Sequence, residues 1–160
     1  MQRLVGGAQA LGLSLTLEQQ ALFQRYHEEL VAWNEKFNLT AITDYEQVQI
    51  RHFLDSLSCL LADEARLALN QPNSRAIDVG SGAGFPGIPL KIVCPGLRLT
   101  LLEATGKKVA FLEHLIQALG LHRTSAIKAR AEELAREPAH RGRYDLALAR
   151  AVADLPVVVE

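Results

Sequence analysis

The sequence predicts an α/β fold of Rossmann-like topology that follows a helical N-terminal segment. Three observations predict it: helical spacing of apolar residues over the first 62 positions, a polar turn-forming segment at 70–74, and alternating strand and helix patterns after it. Strands that alternate with helices pair in parallel through right-handed crossovers, and helices then cover both faces of the sheet. We therefore expect an N-terminal helical cap at residues 1–74 and a partial Rossmann-like domain at residues 75–160.

Length and composition fit one folded domain and exclude several classes of protein. The chain has 160 residues, of which 49% are hydrophobic, so disorder is not expected. No apolar run approaches the roughly 20 residues that span a bilayer, and the N-terminus has no cleavable signal pattern. Cys59 and Cys94 are far apart and lack metal-ligand neighbours. We expect two buried thiols in the cytoplasm, no metal site and no membrane partner.

The N-terminal segment contains two helix signals. A capping-box pattern at 16–19 precedes apolar residues at helical spacing, namely Leu22, Phe23, Tyr26, Leu30, Trp33 and Phe37. A second capping signal at 43–46 precedes another apolar stripe, formed by Ile50, Phe53, Leu54, Leu57, Leu60 and Leu61. Within the second stripe, His52 and Asp55 are three positions apart and could touch, which favours a structural hydrogen bond over catalysis.

Four strands and three helices are predicted after the polar segment. The strands fall at 76–79, 97–103, 125–128 and 144–152, and the helices at 85–93, 107–119 and 132–137. The third strand and the third helix carry the weakest patterns. The fourth strand is a nearly continuous apolar run, which is typical of a strand buried in a parallel sheet.

The first strand leads into a glycine-dense turn. Asp78 precedes glycines at every second position, Gly80, Gly82 and Gly84, and a helix pattern follows. A dinucleotide fingerprint needs glycine at the sixth place, where this chain has Phe85, so a nicotinamide dehydrogenase is disfavoured. The spacing is similar to motif I of S-adenosylmethionine-dependent methyltransferases. Another nucleotide binder or a tight structural turn remains an alternative.

Distinctive residues also follow the other three predicted strands. Glu103 follows the second strand, Arg130, Ala131 and Glu132 follow the third, and Arg150 follows the fourth. In open α/β sheets, ligands bind outside the carboxyl ends of the strands. We therefore expect these residues to line one pocket together with the glycine loop.

Six segments in order carry a resemblance to a known family: 38–42, 52–57, 78–90, 102–108, 130–132 and 149–151. They resemble the RsmG (GidB) family, bacterial methyltransferases that modify N7 of one guanine in the 530 loop of 16S ribosomal RNA. The similarity covers essentially the whole chain. The segment at 84–90, Gly-Phe-Pro-Gly-Ile-Pro-Leu, is far more specific than the glycine triplet.

The resemblance implies a fold, a cofactor and a partner. The fold is that of a class I methyltransferase, and the partner is 16S ribosomal RNA or the small-subunit particle. A monomer is expected, although the sequence leaves the oligomeric state open. The cofactor is S-adenosylmethionine. The motif and the family resemblance together imply that it is contacted by Asp78, Gly80, Gly82, Gly84, Phe85, Glu103, Ala104, Thr105, Ala131, Glu132 and Arg150. The turn at 38–40 is implied to border the same cleft.

The chemistry expected is alignment without an acid–base residue. Guanine N7 carries a lone pair at neutral pH, so it can attack a sulfonium methyl group without a general base. The position after the fourth strand reads Ala149-Arg150-Ala151-Val152, which lacks the Asn/Asp-Pro-Pro-aromatic pattern of amino-nitrogen methyltransferases. Neither cysteine follows a strand, so cytosine C5 methylation is disfavoured. Arg150 is expected to contact the cofactor or the substrate.

The distribution of basic residues predicts which part of the chain contacts RNA. Residues 75–160 carry twelve Lys or Arg against nine Asp or Glu, whereas residues 1–74 carry five against nine. Lys107 and Lys108 begin a predicted helix, the end where cations are unfavourable unless a phosphate binds. Two solvated lysines are an equal alternative. A positive rim could be extended by further basic residues, namely Arg123, Lys128, Arg130, Arg141 and Arg143.

Members of the family are longer and have seven strands, so we expect a truncated member whose folding and activity alone are open. Two other functions stay open at this point. The chain could be a noncatalytic fragment that binds cofactor or ribosomal RNA. It could also be a methyltransferase of the same fold that acts on a small molecule or a protein.

Overall fold

The first half of the chain is a series of helices. The computed structural model describes residues 1–150. Helix α1 spans Gln2–Ala10 and α2 spans Leu17–Phe37. Thr16 caps α2: its Oγ1 accepts from Gln19 N at 3.1 Å, and Gln19 Oε1 accepts from Thr16 N at 2.9 Å. This capping box was predicted, and it begins the helix at the expected position.

The second helix signal produces several short helical segments in place of one helix. Asp44 accepts a hydrogen bond from Gln47 N and caps α3, Tyr45–Val48. A π-helical segment, Gln49–Leu54, follows, then α4, Asp55–Leu57, and a 3-10 turn, Ser58–Leu61. A further helix, α5 at Asp63–Asn70, was not predicted, because it has only eight residues and no side chain caps its N-terminus.

Four parallel strands form the sheet, in the order β3-β2-β1-β4. Their bounds are Arg75–Val79 for β1, Arg98–Glu103 for β2, Thr124–Lys128 for β3 and Leu146–Ala149 for β4. Asp78 lies in register with Leu101 on one side and Leu148 on the other. The prediction of an α/β Rossmann-like fold is confirmed.

The fourth strand begins two residues later than predicted. Asp145 Oδ2 accepts from Arg75 N at 2.8 Å, so a side chain takes the place of a ladder partner before the strand starts. The predicted end of this strand at 152, and the apolar run at 155–159, lie outside the described residues.

Three helices follow the first three strands. They are α6 at Gly87–Val93, α7 at Gly106–Ala118 and α8 at Ala131–Leu134. Helix α6 begins two residues later than predicted because the N–H groups of Gly84 and Phe85 both donate to Ser81 O and close a turn first. Helix α8 is shorter than predicted.

The main core lies between one face of the sheet and the N-terminal helices. Its fully buried members include Phe23, Tyr26, Phe53, Ile88 and Phe111, so it runs continuously across position 74. On the other face, the buried residues are Ile77, Leu102 and Leu134. The division into a cap at 1–74 and a domain at 75–160 therefore stays a prediction.

The contact between α2 and α7 contains the tryptophan. The Trp33 ring lies 5.5 Å from the Phe111 ring and 5.0 Å from the His114 ring, measured between centroids. His114 Nε2 lies 2.7 Å from Glu29 Oε2. Apolar and polar contacts thus both hold the N-terminal helices on the sheet.

The two cysteines are less buried than the sequence predicts. Cys59 and Cys94 are free thiols and are half-buried, whereas we expected full burial. Burial raises the pKa of both thiols.

Across residues 1–150, no three His, Cys, Asp or Glu side chains are grouped to hold a metal ion. In the same part of the chain, no helix has the length and apolar character needed to cross a bilayer.

Candidate active site

The glycine loop joins β1 to α6 at the carboxyl edge of the sheet. Gly80, Gly82 and Gly84 have φ values of +68°, +59° and +97°, a region that L side chains disfavour. The N–H groups of Gly80 and Ser81 both donate to Leu102 O, at 2.8 and 3.0 Å. These bonds fix the loop on the end of the neighbouring strand β2.

The inner half of the loop, residues 83–85, is packed into the core. Tyr26 Oη donates to Ala83 O at 2.6 Å, and the Tyr26 ring stacks on Phe85 with centroids 5.2 Å apart. A Cβ on Gly84 would lie 2.7 Å from both Tyr26 Oη and Ile88 Cδ1. Glycine is therefore required here by packing as well as by conformation.

Asp78 lies beneath this inner half and is fully buried. Its Oδ2 accepts from Gly87 N at 2.9 Å, whereas Oδ1 has no hydrogen-bond partner within the described residues. Burial raises the pKa of the Asp78 carboxyl to about 7. Burial, together with the charge of Asp78, also raises the pKa of Tyr26. The structure thus shows a loop-supporting role for Asp78, and its contact with a cofactor stays a prediction.

Glu103 ends β2 and holds the outer half of the loop, residues 80–82. Its Oε2 accepts from Gly82 N at 3.0 Å, and its Oε1 accepts from Thr105 N at 2.9 Å. The side chain is buried, and Ala104 and Thr105 beside it are exposed. Each carboxylate oxygen can accept two hydrogen bonds, so both oxygens retain capacity for a ligand.

Arg150 follows β4 and reaches the N-terminal helices. Its Nη1 donates to Asp55 Oδ2 at 2.8 Å and to Arg51 O at 3.3 Å. Its Nη2 lies 3.3 Å from His52 Nδ1, and its guanidinium carbon lies 5.2 Å from the centre of the Phe85 ring. The predicted pair of His52 and Asp55 is thus joined through Arg150, which the sequence pattern gave no means to foresee.

The structure brings most of the predicted site residues to one edge of the sheet. Ala131 and Glu132 begin α8 just after β3, and Arg130 precedes them. Lys107 and Lys108 lie in the first turn of α7, just after β2.

Arg123 is the exception. It immediately precedes β3 and therefore lies at the amino edge, the opposite end of the parallel strands. There its Nη1 donates to Asn73 Oδ1 at 2.9 Å. Its expected place in one rim with Lys107, Lys108 and Arg130 is not seen.

A surface groove also lies near Arg150. It is lined by Gly7, Leu11, Ile50, Arg51, Leu54, Asp55 and Ser58. It shares Arg51 and Asp55 with the contacts of Arg150, but it contains none of the residues predicted to bind a cofactor. We place the candidate site at the strand ends, because that is where open α/β sheets bind ligands.

The sequence matches the family model for GidB, described as rRNA small subunit methyltransferase G, over residues 19–160. The chain belongs to this family. It is 50% identical to the ribosomal RNA small subunit methyltransferase G of Roseiflexus sp. (strain RS-1), over 100% of this chain and 66% of that protein. It is 48% identical to the protein of that name in Dehalococcoides mccartyi (strain CBDB1), with the same coverage. The resemblance predicted from the six segments is confirmed.

A third relative is the ribosomal RNA small subunit methyltransferase G of Halalkalibacterium halodurans, which is 50% identical over 93% of this chain and 60% of its own length. The chain therefore spans between 60% and 66% of these three relatives.

Solved structures with a similar fold include MtNAS. A point mutant of MtNAS superposes with a TM-score of 0.54 at 20% identity, covering 86% of this chain and 50% of that one. The same mutant in complex with S-adenosylmethionine gives a TM-score of 0.53 at 21% identity, covering 82% of this chain and 47% of that one. At this level of identity the likeness concerns the fold alone.

Proposed function

We propose that the protein containing this chain transfers a methyl group from S-adenosylmethionine to N7 of a guanine in the 530 loop of 16S ribosomal RNA. The observation that supports this most is the hydrogen bond between Gly82 N and the Glu103 carboxylate. That bond joins the glycine loop to the acid at the end of β2 in a chain of the GidB family.

The residues present fit the cofactor. Glu103 retains lone pairs for the ribose hydroxyls, and Arg150 keeps two N–H donors, Nε–H and one on Nη2, that have no partner among residues 1–150. The full set that we propose to hold the cofactor is Asp78, Gly80, Gly82, Gly84, Phe85, Glu103, Ala104, Thr105, Ala131, Glu132 and Arg150. When bound, S-adenosylmethionine supplies an electrophilic methyl group on a sulfonium.

The acid and base groups near the site make structural contacts, which suits a nucleophile that needs no base. Asp78 lies beneath the loop and Glu103 accepts two backbone N–H bonds. Both ring nitrogens of His52 have partners. Guanine N7 attacks with its own lone pair and loses no proton, so the contribution of these side chains is alignment and exclusion of water.

We propose that RNA is contacted by the basic residues beside this edge of the sheet, Lys107, Lys108 and Arg130. Arg123, at the opposite edge, would bind RNA only through a separate contact. We propose 16S ribosomal RNA or the small-subunit particle as the partner and, with it, a cytoplasmic location. We expect a monomer. We also propose that residues 1–74 act as a cap on the domain that begins at residue 75.

Mass spectrometry of 16S ribosomal RNA tests the function. RNA from cells that lack the protein should have lost one 7-methylguanosine in the 530 loop. The full protein should restore it, and we expect the Glu103→Ala variant to restore much less. The 160-residue chain, expressed in the same cells, would show whether these residues suffice.

Three results would contradict the proposal. Unchanged 16S ribosomal RNA in cells that lack the protein would exclude this substrate. Methyl transfer from labelled cofactor to a small molecule or protein alone would favour the rival methyltransferase. Calorimetric binding of S-adenosylmethionine by the full protein without any transfer would favour a noncatalytic role.

A further inference from the structure

His52 belongs to the N-terminal helices yet lies against the site. It is 7% exposed and stands in the π-helical segment Gln49–Leu54. Its imidazole stacks on the Phe85 ring, with centroids 4.4 Å apart and planes 19° from parallel. The Phe85 ring also stacks on Tyr26 and lies 5.2 Å from the guanidinium carbon of Arg150. His52 and Arg150 therefore share the same aromatic platform.

The partners of the two ring nitrogens define the tautomer of His52. A guanidinium can only donate, so Nδ1 must accept the hydrogen bond from Arg150 Nη2. The hydrogen of the neutral ring is then on Nε2, which donates to Thr40 Oγ1 at 3.0 Å. That oxygen also accepts from Ile42 N at 3.1 Å, so its two lone pairs are used. A hydroxyl can donate or accept, so the tautomer follows from Arg150, and Thr40 holds the ring by accepting from Nε2–H.

The charges around His52 favour the neutral ring. The two that act on it are Arg150, after β4, and Asp55, on α4. Burial and the charge of Arg150 lower the pKa of His52, whereas a backbone hydrogen bond with Arg51 and the charge of Asp55 raise it by less. A neutral ring can accept from Arg150, whereas a protonated ring would repel it.

Arg150 is held from three directions. Asp55 and Arg51 O accept from Nη1, His52 accepts from Nη2, and Phe85 lies under the guanidinium. If His52 stopped accepting, the guanidinium could turn about the bond to Asp55. The two donors that have no protein partner would then leave the edge of the sheet where the glycine loop lies.

We propose that His52 is a positioning residue, which as a neutral acceptor fixed by Thr40 aims the free N–H donors of Arg150 at the ligand in the site. This inference rests on the proposed function, since the ligand is S-adenosylmethionine with its RNA substrate. His52 takes no proton from the substrate and touches no reacting atom.

Three variants of His52 and Thr40 separate positioning from packing. His52→Phe keeps an aromatic ring on Phe85 but removes the acceptor, and we expect kcat/KM for methyl transfer to fall by about 10- to 100-fold. His52→Gln keeps an acceptor and a donor, and it should recover a substantial part of that loss. Thr40→Val should lower kcat/KM, whereas the matched Thr40→Ser variant, which keeps the hydroxyl, should behave like the wild type.

The pH profile adds a readout that a purely structural role would not change. As the pH falls and His52 becomes protonated, wild-type kcat/KM should fall, because the ring then repels Arg150. His52→Gln should lack that part of the acid limb, and any contribution of Asp78 should remain in both proteins. Identical acid limbs in the two proteins would overturn the proposal.

Nitrogen-15 NMR of labelled histidine tests the tautomer in the wild-type protein and needs no variant to fold. At pH 7 we expect a neutral His52 ring with its proton on Nε2. A charged ring, or a proton on Nδ1, would overturn the proposal. Wild-type protein that neither binds S-adenosylmethionine nor methylates RNA would instead refute the proposed function. If the wild-type protein is active and His52→Phe is equally active, the positioning role alone is refuted.

Discussion

The glycine loop has an inner half and an outer half that need glycine for different reasons. In the inner half, Gly84 is surrounded by Tyr26 and Ile88, so a Cβ has no space. In the outer half, Gly82 has only Gly80 O near its Cβ position, at 3.9 Å, and its own N–H is bonded to Glu103. The inner half is fixed by packing against the helices, whereas the outer half has a demanding backbone conformation beside open space. One sequence motif thus combines a structural requirement with a place where a ligand can approach the main chain.

The largest effect is expected at Asp78, beneath the inner half. Its pKa of about 7 lies above the ordinary value of 3.8, so folding favours the protonated carboxyl. The folded protein therefore keeps the full stability associated with the protonated Asp78 carboxyl below about pH 4. It loses this stability as the pH rises to about 7. The free energy of unfolding should fall over that range by on the order of 4 kcal/mol through this group.

Asp78→Asn removes this titration and keeps an acceptor for Gly87 N. Urea unfolding at several pH values should therefore show a shallower decline between pH 4 and 7 for the variant than for the wild type. Parallel pH dependences would show that Asp78 is ionised in the folded protein.

Gly84→Ala should have the next largest effect. The φ of +97° and the contacts at 2.7 Å together should reduce the free energy of unfolding by roughly 3 kcal/mol. Gly120→Ala is a matched control, because Gly120 has a φ of +61° and nothing within 4 Å of its Cβ position. That control should lose about 1–2 kcal/mol. Equal losses in the two variants, measured by urea unfolding, would mean that packing does not distinguish the inner half.

Gly82→Ala should affect stability less and binding more. Its φ of +59° alone should cost about 1–2 kcal/mol of stability. The strained loop would shift Gly82 N relative to Glu103, so calorimetry should show S-adenosylmethionine affinity reduced by about tenfold, the equivalent of about 1.4 kcal/mol. Unchanged affinity would show that the outer half does not contact the cofactor.

The smallest effect is expected beyond the loop, at Lys107. If it contacts one phosphate, Lys107→Gln should reduce the slope of log affinity against log salt by about 0.7–0.9. Arg123→Gln, at the opposite edge of the sheet, should leave the slope unchanged. Filter binding of a 530-loop RNA at several salt concentrations measures both, and the reverse outcome would place the RNA at the amino edge.

The sheet and the loop could be predicted from sequence because each depends on local patterns. Short apolar runs, a polar linker and the glycine spacing each reflect a few neighbouring residues. Helix α5 was missed because Asp63–Asn70 is short and begins without a capping side chain. The position of Arg123 could have been foreseen, since a residue that precedes a parallel strand lies opposite those that follow one.

The contacts of Arg150 could not be predicted in the same way. His52 and Arg150 are 98 positions apart, and their meeting depends on how the N-terminal helices pack over the strand ends. Neither helical spacing nor a capping signal contains that information. The resemblance to the family includes both segments, 52–57 and 149–151. The contact between them is seen only in the structure.

The chain's only tryptophan lies where α2 meets α7. Trp33 is half-buried between Phe111 and His114, so its fluorescence is a built-in probe of that junction. Any ligand-driven movement of the N-terminal helices over the strand ends would change its emission. The rate of such a movement could then be measured in unlabelled protein by stopped-flow fluorescence.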